Sequence, residues 1–162
     1  MFSWLKTIII LPFNVIIVIP AVVLWLTGYH FIAPAPLQVI IWAVLFLGGV
    51  ALALWTMLLF AFVGDGTAAP WNPPKNLVVK GPYRHVRNPM ITSVLMMVLA
   101  NSILLSSWAI FSIFILFFVG NMIYFPLFEE KGLIKRFGQD YILYKNNVPR
   151  WLPRLTPWSL PK

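Results

Sequence analysis

The sequence predicts an all-α integral membrane protein with four membrane-crossing helices. Of its 162 residues, 60% are hydrophobic and only 10% are charged, whereas about a quarter of the residues in a soluble domain are charged. Long apolar segments alternate with polar ones, at about residues 7–27, 37–63, 89–105 and 108–128. About 20 apolar helical residues cross the ~30 Å core of a bilayer. We therefore expect one membrane domain over residues 1–162.

The distribution of charge predicts the orientation of this domain. Eleven of the twelve lysines and arginines lie from Lys75 onward, in the polar segments that flank apolar spans, and Lys6 precedes the first span. Because cationic residues favour the cytoplasmic side of a membrane, both termini are predicted there. The net charge of +8 is therefore attributed to anionic headgroups, and nucleic acid is not an expected partner.

The absence of cysteine excludes disulfides, thiol nucleophiles and thiolate metal sites. The chain has only two histidines, which lie far apart, and four acidic residues. We expect no dedicated metal site.

The polar segment at residues 64–88 is predicted to be an ordered loop at the cytoplasmic face. Its four prolines and three glycines disfavour a regular helix. A loop of this length is usually either functional or disordered, and its apolar side chains favour docking. Its last residues belong to the stretch from Gly81 to Met90, in which a polar, proline-containing backbone lies directly before an apolar span.

The third and fourth spans predict a helical hairpin that turns at Ser106-Ser107. Its two polar ends, Arg87-Asn88 and Glu129-Glu130, then return to the same face of the membrane. Because successive helical residues differ by about 100° in direction, one glutamate can face the bundle while the other meets water. Either the pair contributes to a pocket, with Arg84 or Arg87 opposite, or it compensates the dipole of the following helix.

Residues 129–145 are predicted to form an amphipathic helix at the membrane interface, and the proline-rich tail after it an extended strap. One face of the helix carries Glu130 and a series of apolar or aromatic side chains. The aromatic residues of the loop and helix either surround a ligand or form an interfacial belt. They are Trp71, Tyr83, Tyr141 and Tyr144.

The motif LVVKGPYRHVRNPM, followed by a helical hairpin, by EE and by VPRWLPR, resembles a known family. It is similar to the isoprenylcysteine carboxyl methyltransferase and phospholipid N-methyltransferase superfamily of membrane enzymes, especially its small bacterial members. The resemblance covers roughly residues 64–154. It implies a location in a bacterial inner membrane and S-adenosylmethionine as cofactor. It also implies a lipid-like or small hydrophobic acceptor that enters from the bilayer.

The resemblance also implies roles for individual residues. Glu129 matches the carboxylate that contacts the cofactor, and Glu130 or His85 is the available base if an acceptor proton must leave. Arg84 or Arg87 would pair with the carboxylate of the cofactor. The remaining cofactor contacts fall on Lys75, Asn76, Leu77, Val78, Tyr83, Asn88, Pro89, Met90 and Ile91.

Two departures from the family pattern leave other functions open. Ile91 stands where the eukaryotic enzymes have tyrosine, and Phe125 stands where they have the arginine that engages a substrate carboxylate. The absence of that arginine argues against a prenylcysteine carboxylate as acceptor. One alternative is a reductase of the sterol-reductase type, which has a similar carboxyl-terminal half and uses NADPH. The other, which the two departures leave open, is a non-catalytic protein that keeps the pocket or only the scaffold.

Overall fold

A computed structural model describes residues 9–67 and 72–161, which contain helices and turns but no strand. The first helix, α1, begins as a π-helical segment, Ile9–Val18, and continues as an α-helix, Ile19–Leu26. The other α-helices are α2 (Pro36–Phe62), α3 (Pro89–Leu104), α4 (Trp108–Tyr124) and α5 (Glu130–Asn147). A short 3₁₀ helix, Gly81–Arg84, lies in the loop before α3.

Helix α3 is the centre of the bundle and packs against α1, α2 and α4. Its closest neighbour is α2, at the point where Gly49 faces it. A Cβ atom at Gly49 would lie 2.9 Å from the backbone oxygen of Ser93 and 2.8 Å from the Cγ atom of Met97. Only glycine therefore permits this approach of the two backbones.

The apolar core lies between α1, α3 and α4. It consists of Ile16, Val94, Met97, Val98 and Ile110, all of them buried. Many other large apolar side chains of the helices are exposed, among them Phe62, Trp108 and Leu116. Such broad apolar exposure suits a surface that faces lipid.

Two of the described helices are long and apolar enough to cross a membrane, namely Pro36–Phe62 and the continuous helix Trp108–Asn147. The apolar helices Pro12–Leu26 and Pro89–Leu104 are shorter. The all-helical prediction is confirmed by the described residues, and the number of membrane crossings stays a prediction.

The predicted hairpin is present, and its second arm continues into the helix expected at residues 129–145. A π-helical segment, Phe125–Glu129, joins α4 to α5, and Pro126 within it lacks an N–H donor. Helix α5 is interrupted at Gly138, whose φ of 57° is accessible to glycine.

The turns at one end of the bundle are tied together by side-chain hydrogen bonds. Tyr29 donates from its hydroxyl to the backbone oxygen of Leu105 at 2.7 Å. Gln38 donates to the Ser106 hydroxyl at 2.8 Å and accepts from the Ala35 amide at 2.7 Å. These bonds close the end of the bundle that lies opposite the cavity described next.

Candidate functional site

A cavity of about 330 Å³ lies where the loop before α3 meets the junction of α4 and α5. Its volume is at the lower end of the range for small-molecule sites. Aromatic side chains contribute much of its wall, and Tyr83 stacks on Phe60 with ring centroids 5.3 Å apart. Tyr141 and Tyr144 also line it, as one of the two sequence interpretations anticipated, whereas Trp71 lies outside the described residues.

Most of the candidate residues from the sequence lie together on the cavity wall. The loop and the start of α3 contribute eight of them, and Glu129 faces them from the π-helical segment. The eight are Asn76, Leu77, Val78, Tyr83, Arg87, Asn88, Met90 and Ile91.

Other candidates lie away from the cavity wall. Lys75 forms a 2.8 Å ion pair with Asp65 at an exposed position. Pro89 is buried as the first residue of α3. Arg84 donates from its Nε atom to the Trp158 backbone oxygen at 2.9 Å, and the His85 Nδ1 atom lies 2.8 Å from the Arg154 backbone oxygen. These contacts give Arg84 and His85 a role in holding the tail rather than in lining the cavity.

The adjacent glutamates have different environments. Glu129 is half-buried on the cavity wall and forms no ion pair with another described residue. The Glu130 side chain is only 3% exposed and is surrounded by cations. Arg87 and Arg150 donate to its Oε1 atom at 2.7 and 2.6 Å, and Lys145 lies 2.6 Å from Oε2. We call these four residues the ion cluster.

The ion cluster keeps Glu130 ionised. Burial raises the pKa of its carboxyl group, but hydrogen bonds from Lys145 and Arg150, together with the charge of Arg87, outweigh burial. The pKa of Glu130 therefore lies below its usual value. A general base must accept a proton near neutral pH, but this carboxylate is stabilised in its charged form and does not line the cavity. The base role suggested for Glu130 thus has no geometric support.

Three buried donors on the cavity wall have no hydrogen-bond partner among the described residues. They are the Tyr83 hydroxyl, the Arg87 Nε atom and the Asn88 Nδ2 atom. Burial raises the pKa of Tyr83 well above its ordinary value, and Tyr144 adds to this, so Tyr83 stays a neutral donor. Unpaired buried polar groups are costly, and these three donors in one wall are available to the acceptor atoms of a ligand.

The chain's tail holds the loop that carries these donors. The Arg87 amide donates to the Pro149 backbone oxygen at 2.9 Å. The amides of Arg154 and Trp158 donate to the backbone oxygens of His85 and Arg84, each at 3.0 Å. The Tyr144 hydroxyl of α5 also donates to this loop, at the Tyr83 backbone oxygen, over 2.7 Å. We call residues 148–161 the strap.

Among the contributors to this site that the sequence interpretation missed are Arg136, Phe60 and Arg150. Arg136 lines the cavity, although the helical pattern put it on the polar face of the last helix; its guanidinium also lies over the Phe137 ring at 5.8 Å. Phe60 contributes from the end of α2. Arg150 belongs to the VPRWLPR motif, but the motif alone did not indicate that its side chain forms an ion pair with Glu130.

The fold and the site define a helical membrane protein with a small-molecule cavity at one end of its bundle. A family model described as phospholipid methyltransferase matches residues 37–140, which is more than half of the chain. The chain belongs to the phospholipid methyltransferase family, a family of membrane methyltransferases, and the resemblance noted from the sequence is confirmed. No curated protein matches the chain.

Proposed function

We propose that this protein transfers a methyl group from S-adenosylmethionine to a lipidic or small hydrophobic acceptor. The observation that carries the proposal is the polarity of the cavity wall. Glu129 offers a carboxylate without an ion-pair partner among the described residues, and the three unpartnered donors offer the complementary charge and hydrogen bonds. This arrangement suits a ligand that carries both an ammonium and a carboxylate group.

The methionyl part of S-adenosylmethionine is such a ligand. In the proposed arrangement Glu129 binds its ammonium group, while Arg87, Asn88 and Tyr83 bind its carboxylate. Asn76, Leu77 and Val78 remain proposed contacts for the rest of the cofactor, together with Met90 and Ile91 at the start of α3. Lys75 and Pro89 do not line the cavity, so their positions do not support direct contact with the cofactor.

The cofactor supplies an electrophilic methyl group. For transfer by in-line displacement, the protein must align donor and acceptor and exclude water. The apolar side chains of Phe60, Phe125 and Leu133 line the same cavity and serve that purpose. We assign alignment and water exclusion to this chain. If the acceptor must lose a proton, Glu130 and His85 remain the proposed bases, although neither lies on the cavity wall.

Phe125 bears on the class of acceptor. It lines the cavity and meets the Trp151 ring edge-on, with centroids 6.3 Å apart. An aromatic ring at this position offers no charge to a substrate carboxylate. We therefore propose an acceptor whose reactive group is not a prenylcysteine carboxylate.

We also propose that the chain crosses a bacterial inner membrane four times, with both termini and the cavity on the cytoplasmic side. The strap supports a position at the bilayer surface. Its side chains Leu152 and Leu155 are 81% and 96% exposed and stand beside Arg150 and Arg154. Alternating apolar and cationic groups suit the boundary between acyl chains and anionic headgroups.

The test is calorimetric titration of the detergent-purified protein with S-adenosylmethionine, S-adenosylhomocysteine and NADPH. We expect both sulfur nucleotides to bind and NADPH not to bind. Binding of NADPH alone would favour the reductase alternative, and binding of none would overturn the proposal.

Glu129→Gln tests the assignment of the ammonium contact. Removing the charge from a charge-assisted hydrogen bond should weaken S-adenosylhomocysteine binding by roughly 10- to 100-fold. Asp140→Asn is the matched control, because it removes an exposed carboxylate of α5 that does not line the cavity. Equal effects of the two substitutions would contradict the assignment.

A further inference from the structure

The strap contacts the cavity-forming elements at two places. Besides its backbone bonds to the loop before α3, its Trp151 ring packs edge-on against Phe118 and Phe125, with centroids 5.3 and 6.3 Å apart. Phe125 itself lines the cavity. The strap therefore lies directly behind two parts of the cavity wall.

Arg150 is the residue through which the strap meets the ion cluster. Its Nε and Nη2 atoms both donate to the Glu130 Oε1 atom, at 3.1 and 2.6 Å. The Nη1 atom of Arg87 donates to that same oxygen at 2.7 Å. Arg150 thus holds the carboxylate oxygen that anchors one end of the Arg87 guanidinium.

This anchoring determines how Arg87 presents its remaining donors. The guanidinium is planar, so fixing Nη1 on Glu130 also restricts the direction of Nε. The Nε atom is buried without a hydrogen-bond partner among the residues that the structure describes, and Arg87 lines the cavity. Without Arg150, the Oε1 atom of Glu130 would be held by Arg87 alone, while Lys145 stays 2.6 Å from the other oxygen. The carboxylate, and with it the guanidinium of Arg87, would then be less restricted in orientation.

We propose that Arg150 is a positioning residue, which acts through Glu130 to hold Arg87 in the orientation that binds the cofactor carboxylate. Arg150 does not line the cavity. This inference rests on the proposed function, because the cofactor carboxylate is the group that Arg87 would bind.

The test compares Arg150→Ala with Arg154→Ala in the full-length protein. Arg154 lies in the same strap, but its guanidinium donates to the Asn147 backbone oxygen at 2.8 Å and to Thr156, not to Glu130. We expect Arg150→Ala to weaken S-adenosylhomocysteine binding about tenfold, the effect of losing a charge-assisted hydrogen bond. Arg154→Ala should keep this affinity within about twofold of wild type, even if it lowers the unfolding temperature as much as Arg150→Ala does.

Arg150→Lys is measured beside these two variants and covers the case in which the alanine variant does not fold. It keeps the charge but loses the paired contact of the guanidinium with Oε1, so its loss of affinity should be smaller than that of alanine. A structural role alone would make affinity follow the unfolding temperature across all three variants. That result, or unchanged affinity in Arg150→Ala and Arg150→Lys, would overturn the proposal.

Hydrogen exchange separates this proposal from the proposed function. If the wild-type protein binds no sulfur nucleotide, the proposed function fails and the role of Arg150 in cofactor binding fails with it. Its role in ordering the loop is still measurable, because the Arg87 amide is bonded to Pro149. Faster exchange at Arg87 in Arg150→Ala than in Arg154→Ala would support the positioning contact, and equal exchange would contradict it.

Discussion

The two ends of the helical bundle satisfy their polar groups in different ways. At one end, Tyr29 and Gln38 bond to the α3–α4 turn, and the Trp42 indole donates to the Asn101 side chain at 3.2 Å. At the other end, three donors on the cavity wall lack partners among the described residues, although the ion cluster beside them is densely paired. The first pattern stabilises the fold, whereas the second leaves donors that are available to a ligand.

The largest effect is expected from Glu130→Ala. Removing the only carboxylate of the ion cluster leaves Arg87 buried beside two other cations, which should lower the free energy of unfolding by about 3–5 kcal/mol. Chemical unfolding in detergent measures this loss. Asp140→Ala is the control on the same helix, and a similar small loss in both variants would show that the cluster adds little stability.

Tyr83→Phe should separate binding from stability. The substitution removes a hydroxyl that has no partner in the described part of the chain, and it keeps the ring that stacks on Phe60. The ligand-free protein should therefore be as stable as wild type or slightly more so. Binding of S-adenosylhomocysteine should weaken about tenfold, since one ligand hydrogen bond is lost. Calorimetry and thermal unfolding of the same sample measure both quantities.

Gln38→Ala at the opposite end provides the contrast to Tyr83→Phe. It removes bonds to Ser106 and Ala35, so it should lower the free energy of unfolding by about 1 kcal/mol. Ligand affinity should stay unchanged. If Gln38→Ala weakened binding or Tyr83→Phe lowered stability, the distinction between the two ends would not hold.

The smallest effect concerns pH. Because the folded state lowers the pKa of Glu130, its ion cluster contributes full stability above the pKa of an unfolded glutamate, about 4.3. That contribution is lost as pH falls through the lower, folded pKa. The difference in unfolding temperature between wild type and Glu130→Gln should therefore be constant from about pH 5 to 8 and shrink below about pH 4. A difference that changed near neutral pH would point to another titrating group.

The helical hairpin could be predicted because it depends on the chain locally. The lengths of the two apolar segments bring Arg87 and Glu130 to the same end, and the structure joins them at 2.7 Å. The sequence also indicated that the two glutamates face different ways, because the helical repeat requires it. The sequence did not determine which of the two glutamates binds Arg87, because that choice depends on the rotation of α5 relative to the loop.

The contacts of the strap could not be predicted from the sequence, because they too depend on how distant segments pack. Arg150 lies 20 residues from Glu130 and 63 residues from Arg87, and no helical repeat relates these positions across the turn after α5. The interruption at Gly138 changes the direction of the chain between Glu130 and Arg150. Small rotations at each such point add up, so the partners of a distant side chain follow only from the assembled fold.

The sequence by itself determined the helical class, the hairpin and the family, because these depend on apolar length, on helical periodicity and on a contiguous motif. The tertiary structure decided that Glu129 faces the cavity while Glu130 is held by Arg87, Arg150 and Lys145. It also decided which donors of the cavity wall have no partner within residues 9–67 and 72–161. Hydrogen bonds and ion pairs form only within a few ångströms, and that proximity depends on how the loop, α5 and the strap pack together.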